Sequence, residues 1–243
     1  MNLKLTLEYD GTGYHGWQIQ PNRVTIQQAL EQALEKILGA KVRVHGAGRT
    51  DAGVHAFGQI ANLICPKEVE LRRLQKGLNA LLRPAIVVKK IEIAADSFDA
   101  RRDARSRVYQ YRIWDHPWPS AFHGRCSWHV HSELDLAPMA QAATCLEGEH
   151  DFSSFQAAGC DANHAVRRIY GNSVRREGDL LLYDIEATAF LRHMVRNIVG
   201  TLVLVGRGEL SYQDFVDILK LCDRTRAGPT APAQGLFLIE VKY

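Results

Sequence analysis

The 243-residue chain has few cysteines, no long apolar stretch and no charge excess of one sign. Its five cysteines include no C-x-x-C pair, which argues against a zinc or redox motif and predicts reduced thiols. The longest nearly apolar run, residues 198–206, is about half the length that a bilayer-spanning helix needs. The amino terminus alternates polar and apolar residues and lacks the features of a signal peptide. We therefore expect a cytoplasmic protein without a membrane partner.

The charge balance is nearly even, with 30 Lys and Arg residues against 27 Asp and Glu residues and a net charge of +3. Bulk electrostatics alone therefore do not indicate a nucleic-acid-binding protein. Any site for a polyanion must be local. The hydrophobic share of 46% and the charged share of 23% are ordinary for a folded protein.

The length predicts two lobes, residues 1–100 and 101–243. In the first lobe, period-2 and helical patterns alternate in the order strand, helix, strand, strand, helix, strand, which is the ferredoxin-like arrangement. The predicted strands are 3–9, 41–45, 59–65 and 86–93, and the predicted helices are 26–38 and 71–82. Thr25 with Gln28 has the pattern of a capping box, and Gly39 is suited to end the first helix.

The second lobe repeats strands with helices on one face. We predict strands at 105–114 and 236–243, a hairpin formed by 167–176 and 180–189, and helices at 135–146, 191–205 and 211–221. The fold class is therefore α+β, with two lobes related to the ferredoxin-like fold and mainly antiparallel sheets.

The segment 46–59, GAGRTDAGVHAFGQ, packs glycines around Asp51 between two predicted strands. It is neither a dinucleotide fingerprint nor a P-loop, which argues against NTP hydrolysis. Two interpretations of Asp51 remain open: a carboxylate that caps a turn, and a reactive group. His45 and His55 are conceivable metal ligands with Asp51, but no second cluster has the spacing of a metal site. We expect no metal and no cofactor.

Residues 101–112 contain five arginines and one acid, Asp103. Strand alternation places Arg107, Tyr109, Tyr111 and Ile113 on a common face. Cations beside aromatic rings suit RNA, because arginines bind phosphates and an unstacked base lies on a tyrosine ring. The alternative is a packed strand with solvated arginines.

Arg192 and Arg196 fall one turn apart on the predicted helix 191–205, where a like-charge pair lowers helix stability. This arrangement favours an anionic partner, and a buried carboxylate such as Asp51 is a candidate. The alternative is that both side chains extend into solvent.

Six ordered blocks along nearly the whole chain resemble the tRNA pseudouridine synthase A family. They are GYHGWQ at 13–18, GAGRTDAGVHAFGQ at 46–59, SRVYQYRI at 106–113, EGEHDFSSF at 147–155, FLRHMVRNIVG at 190–200 and AQGLFL at 233–238. The resemblance implies an isomerase that needs no cofactor and has its active-site cleft between the lobes. Such an enzyme breaks the C1′–N1 bond of uridine and rejoins the uracil through C5.

The resemblance also assigns roles to individual residues. It makes Asp51 the catalytic aspartate, Arg196 its ion-pair partner and Arg49 the side chain that takes the place of the flipped base. Tyr109 corresponds to the stacking tyrosine. Arg107 is expected to bind substrate, and Leu238, or less directly Leu236, matches an apolar wall.

The family's substrate is the anticodon arm of tRNA at positions 38, 39 and 40, and the resemblance implies a homodimer. We further expect a tRNA affinity that falls steeply with salt, because arginines would release counterions from the phosphates on contact. These arginines are Arg101, Arg102, Arg105, Arg107, Arg167 and Arg168.

The first alternative function is a non-catalytic RNA-binding module, which leaves the glycine-framed Asp51 unexplained. The second is a nucleoside hydrolase or glycosidase, which would need a pair of carboxylates. Whether Asp51 attacks the base, attacks the sugar or abstracts a proton stays open.

Overall fold

The computed structural model describes residues 1–160 and 162–243, and the chain forms two compact units. The first unit comprises Met1–Arg105 and Phe237–Tyr243, and the second comprises Ser106–Leu236. The sequence predicts lobes of 1–100 and 101–243, so the final strand lies in the first unit instead of the second. The reason is a parallel pairing in which Phe237 and Leu238 lie beside His55 and Ala56.

The first unit is an α+β sandwich of one sheet and two helices. Its elements are β1 (Asn2–Tyr9), α1 (Ile26–Leu38), β2 (His45–Gly46), β3 (His55–Ile64), α2 (Leu71–Leu82) and β4 (Ile86–Ala94). Strand β1 lies between β4 and β3 and is antiparallel to both, and β2 is antiparallel to β3. The C-terminal strand Leu236–Lys242 extends this sheet beyond β3.

Strand β1 shows why this unit folds as a sheet covered by helices. Leu3, Leu5 and Leu7 are fully buried on one side of the strand, as their period-2 spacing predicts. Helix α1 begins where Thr25 Oγ1 accepts the N–H of Gln28, and it ends at Gly39, which has a left-handed φ of 72°. Both ends of the predicted helix are therefore confirmed.

The predicted strand 41–45 is wrong over most of its length, because only His45 and Gly46 form a ladder. Side chains of α1 take the hydrogen bonds that a neighbouring strand would otherwise make. Glu31 Oε1 accepts the Val44 N–H at 3.0 Å, and Gln27 Nε2 donates to the Val44 carbonyl at 2.9 Å. The segment is thus held as an extended loop against the helix.

The second unit also combines one sheet with helices. Its elements are β5 (Ser106–Asp115), β6 (Trp128–Val130), α3 (Leu136–Thr144), β7 (Gly148–Asp151), β8 (Val166–Glu177), β9 (Leu180–Ala187), α4 (Met194–Gly206) and α5 (Tyr212–Leu221). The strands run in the order β5-β9-β8-β7 with antiparallel neighbours, and the short β6 is parallel to β5. The C-terminal strand of the first unit is β10. The predicted α+β class with mainly antiparallel strands is confirmed.

Helix α4 begins later than its apolar spacing predicts. His193 adopts a left-handed conformation with φ of 60°, and the helix starts at Met194. Leu191 and Arg192 therefore precede the helix, although Leu191 is buried. In the described residues, no helix is both long enough and apolar enough to cross a membrane.

Candidate active site

Asp51 lies on a loop of the first unit whose backbone is bonded to the segment 13–18. The Trp17 N–H donates to the Thr50 carbonyl at 3.0 Å, and the Gly53 N–H donates to the Tyr14 carbonyl at 3.3 Å. The Val54 N–H closes a turn on the Asp51 carbonyl at 3.1 Å. Two motifs that are distant in sequence, GYHGWQ and GAGRTDAGVHAFGQ, therefore form one structural element.

Gly16 makes this approach of the two segments possible. Its φ is +83°, and an added Cβ would lie 2.5 Å from the Thr50 carbonyl oxygen and 3.1 Å from the Asp51 carbonyl carbon. Both the conformation and the space therefore exclude a side chain at this position. Gly46 is restricted by space alone, because an added Cβ would lie 2.5 Å from the indole carbon Cε2 of Trp17.

A buried polar network supports the residue that precedes Asp51. Thr50 Oγ1 and the Tyr9 hydroxyl lie 2.9 Å apart, and Gln59 Nε2 donates to the Tyr9 hydroxyl at 3.3 Å and to the Gly48 carbonyl at 2.9 Å. Burial raises the pKa of Tyr9 to about 12 despite these hydrogen bonds, so the phenol stays neutral. The loop is thereby fixed on both sides of Arg49, which is exposed, while Asp51 is partly exposed.

His55 follows the loop as the first residue of β3 and is buried. Its Nδ1 lies 3.1 Å from Asp10 Oδ1 and 3.2 Å from the Gly11 nitrogen, and its ring stacks on Phe237 at 4.6 Å. These contacts give His55 a structural role at the start of the strand. Across the described part of the chain, no group of three His, Cys, Asp or Glu side chains is arranged to hold a metal ion.

Leu238 also belongs to the first unit. It is fully buried on β10 and lies in register with Ala56, five residues after Asp51. Leu236 is the last residue of the second unit and is also buried. That Leu238 forms an apolar wall for the substrate stays a prediction.

In the second unit, strand β5 buries the face that the sequence predicts. Arg107, Tyr109, Tyr111 and Ile113 are all buried, so the expected common face is confirmed. The Tyr109 ring meets Phe190 nearly edge-on, with centroids 5.0 Å apart. Arg107 Nη1 donates to the Thr188 carbonyl at 2.8 Å, so this arginine is packed against the neighbouring strand and is not solvated.

Arg192 and Arg196 do not form the like-charge helical pair that the sequence predicts, because only Arg196 is within α4. Arg192 Nη1 donates to the Ala158 carbonyl at 3.1 Å. Arg196 Nε donates to the Ala231 carbonyl at 2.7 Å, and the Ala231 N–H returns a bond to the Arg196 carbonyl at 3.1 Å. The argument from helix repulsion is therefore wrong. The pairing of Arg196 with Asp51 stays a prediction.

Asn197, which sequence reasoning missed, organises the surroundings of Arg196. It is fully buried, and its Oδ1 accepts bonds from Thr230 Oγ1 at 2.6 Å and from Arg224 Nη2 at 3.1 Å. Its Nδ2 donates to the Phe155 carbonyl at 2.8 Å. Thr201, one turn later, accepts the Gly228 N–H at 2.9 Å. These bonds hold the segment 228–231 against α4. The sequence signal for this role is that Asn197 and Thr201 are polar residues one turn apart within the apolar stripe of the helix.

The similarity to known proteins extends over the whole chain. The family model for tRNA pseudouridine synthase matches residues 6–101 and 142–243. A protein of Myxococcus xanthus named tRNA pseudouridine synthase A is 50% identical over 243 residues, which cover 99% of this chain and 91% of the relative. Proteins with the same name from Ruminiclostridium cellulolyticum and Geotalea daltonii are 43% and 44% identical, and each alignment covers at least 99% of both chains. This chain belongs to the tRNA pseudouridine synthase family.

Proposed function

We propose that the chain isomerises uridine to pseudouridine in the anticodon arm of tRNA, at positions 38, 39 and 40. The observation that carries this proposal is the placement of Asp51 on a rigid, glycine-framed loop in a member of this family. A fixed carboxylate suits the chemistry, because a reacting group is most effective when its position is set before the substrate arrives.

The reaction breaks the C1′–N1 bond of uridine, turns the uracil and forms a C1′–C5 bond; C5 loses its proton and N1 gains one, so the product is an isomer of the substrate. Atoms balance without an oxidant or a reductant, so no cofactor is needed. Asp51 is proposed to act directly on the nucleotide, by attack on the base, by attack on the sugar or by removal of a sugar proton. A forked ion pair with Arg196 is proposed to hold its carboxylate in place.

The remaining roles follow the order in which a nucleotide enters the site. An enzyme that acts on a base in an RNA stem must take the base out of the stack. Arg49, exposed on the loop, is proposed to fill the position that the base leaves. Tyr109 is proposed to stack on the extruded uracil, with Arg107 beside it on β5 and Leu238 as an apolar wall.

We also propose that the protein acts as a homodimer on tRNA in the cytoplasm, with the tRNA touching both subunits. Light scattering combined with an activity assay tests the dimer. An active monomer would disprove it.

The nucleoside composition of tRNA before and after incubation separates the possible functions. Pseudouridine is expected to appear with an equal loss of uridine. Abasic sites would indicate the hydrolase, and an unchanged composition together with binding would indicate a non-catalytic RNA-binding module.

A further inference from the structure

Two buried asparagines of the first unit form a hydrogen-bonded pair. Asn2 and Asn62 have exposed fractions of 1% and 6%, and Asn62 Nδ2 donates to Asn2 Oδ1 at 3.1 Å. Burying amide groups is unfavourable unless their hydrogen bonds are satisfied. The hydrogen-bond partners of these two side chains therefore indicate their role.

Both asparagines bind the backbone of one surface segment. Asn2 Nδ2 donates to the Phe98 carbonyl at 2.8 Å, and Asn62 Nδ2 donates to the same carbonyl at 3.1 Å. Asn62 Oδ1 accepts the Ala100 N–H at 3.0 Å, and the Tyr243 hydroxyl donates to the Ala100 carbonyl at 2.8 Å. Residues 98–105, the arginine turn, are thus anchored from beneath.

The arginine turn is also closed by its own aspartates. Asp99 Oδ1 accepts the N–H groups of both Arg101 and Arg102 at 2.9 Å, and Asp103 Oδ2 accepts the Asp99 N–H at 2.9 Å. The bond from the Arg102 N–H is the main reason why the pKa of Asp99 is lowered, so this carboxylate stays ionised and bonded to the turn. The Arg105 N–H donates to the Lys242 carbonyl at 2.8 Å, which fixes the far end.

The guanidinium groups of the arginine turn indicate which kind of ligand it binds. Arg101, Arg102 and Arg105 are exposed, although their backbone is held rigidly. An arginine side chain extends farther than an aspartate side chain, and the carboxylates of Asp99 and Asp103 already bond to backbone N–H groups. A ligand approaching the surface therefore meets guanidinium groups, whose planar fork suits phosphate.

The arginine turn lies near the start of the segment 46–59, whereas Asp51 lies towards the opposite end of β3, where Thr50 bonds to Tyr9. Asn62 is in register with His45 of β2, and His45 directly precedes the loop 46–59. His45 is also close enough to Asp99 to contribute to lowering its pKa. Asn62 thus bonds to the arginine turn through its side chain and pairs through its backbone with the residue that precedes the loop.

We propose that the arginine turn is a preorganised site for backbone phosphates of tRNA. It lies roughly 20 Å along β1 from the loop of Asp51, so these phosphates belong to nucleotides several positions away from the one that Asp51 acts on. This proposal rests on the proposed function and deepens it. A turn that is rigid before binding loses little conformational entropy when it meets the phosphates, which raises the affinity for a given set of contacts. Asn2 and Asn62 act as positioning residues.

The test compares two charge-matched variants of the full chain. In Arg102→Gln/Arg105→Gln the turn loses two cations. In Arg72→Gln/Arg73→Gln two exposed arginines of α2, in the same unit, are lost instead. tRNA affinity is measured at several salt concentrations. In the turn variant the dissociation constant is expected to rise roughly 10-fold or more, and the slope of log affinity against log salt to become shallower by about 1.5 to 2. The α2 variant is expected to resemble the parent.

A third variant, Asn62→Ala, tests positioning without a change of charge. It leaves the Ala100 N–H without its acceptor, so we expect weaker tRNA binding at unchanged net charge. Should this variant fail to fold, Tyr243→Phe removes only the hydroxyl bond to the Ala100 carbonyl and is expected to weaken binding by a smaller factor.

The outcomes separate the two proposals. If the parent forms no pseudouridine, the proposed function fails. If the parent is active but the turn variant keeps the parent's affinity and salt slope, the phosphate site is disproved. Equal losses in the turn variant and the α2 variant would also disprove it, because bulk charge would then explain the effect.

Discussion

Replacing Gly16 by alanine tests whether the segment 13–18 holds the loop of Asp51 in a reactive position. At φ of +83° a residue with a side chain costs about 1 to 2 kcal/mol. The added Cβ would also lie 2.5 Å from the Thr50 carbonyl oxygen, and overpacking of this kind costs about 1 to 3 kcal/mol. We therefore expect Gly16→Ala to lower the free energy of unfolding by roughly 2 to 5 kcal/mol.

Part of this clash can be relieved by moving the loop, and such a movement would displace Asp51. A displacement on the order of 1 Å costs about 100-fold in rate when a reacting group is misplaced. The rate of pseudouridine formation should thus fall even in the fraction of protein that remains folded. Chemical denaturation and a single-turnover assay on tRNA measure the two effects separately.

Gly13→Ala is the matched control. Gly13 lies in the same motif and needs no positive φ, and a Cβ added there would meet no heavy atom within 4 Å. We expect this variant to fold and react like the parent. If Gly16→Ala is as stable and as active as Gly13→Ala, the close approach of the two motifs does not support the loop, and the reasoning is refuted.

Three further predictions concern single side chains. Asp51→Asn should abolish pseudouridine formation while tRNA binding and folding survive, as measured by nucleoside analysis and filter binding; conversion near the parent's rate would make Asp51 a structural turn residue. Tyr109→Phe keeps the ring and removes the hydroxyl, so turnover should fall more than affinity, and equal losses would assign the hydroxyl to recognition. Because burial raises the pKa of Tyr9 from 10 to about 12, its contribution to stability is complete below pH 10 and is lost as the pH rises towards 12. Denaturation of the parent and of Tyr9→Phe should show a smaller alkaline loss of stability in the variant, and identical pH profiles would contradict the assignment.

Strong hydrophobic periodicity predicts most helices and strands of this fold, because the burial of an apolar face depends on the spacing of residues along the element. The sequence predicts helix α2 at 71–82, which are its bounds in the structure, and it also predicts the hairpin of β8 and β9. The predicted strand at 41–45 is wrong, because residue spacing carries no information about contacts with distant side chains. Side chains of Gln27 and Glu31, more than ten residues away in sequence, take the hydrogen bonds of Val44.

The sequence predicts the part of the candidate site that lies within one motif. It does not predict the part that depends on tertiary contacts. The glycine-rich frame of Asp51 was visible in the sequence, but its attachment to Trp17 and Gly16 was not. The sequence predicts Arg192 one helical turn from Arg196, because the apolar spacing continues through Leu191. The left-handed His193 keeps the helix from starting before Met194, and neither composition nor periodicity reveals such a conformation.

The return of β10 to the first unit has a consequence for how the protein is made. The ribosome completes residues 1–105 long before it reaches Phe237, since the entire second unit is translated in between. Until then β3 lacks its parallel neighbour, and His55, which begins β3 after the loop that carries Asp51, lacks the ring on which it stacks. A chain whose translation stops early would keep every residue of the loop and still lack the strand that packs beside His55. Such fragments should therefore be inactive and sensitive to proteases. Because β10 is synthesised last, the first unit is completed only after the second unit has been translated.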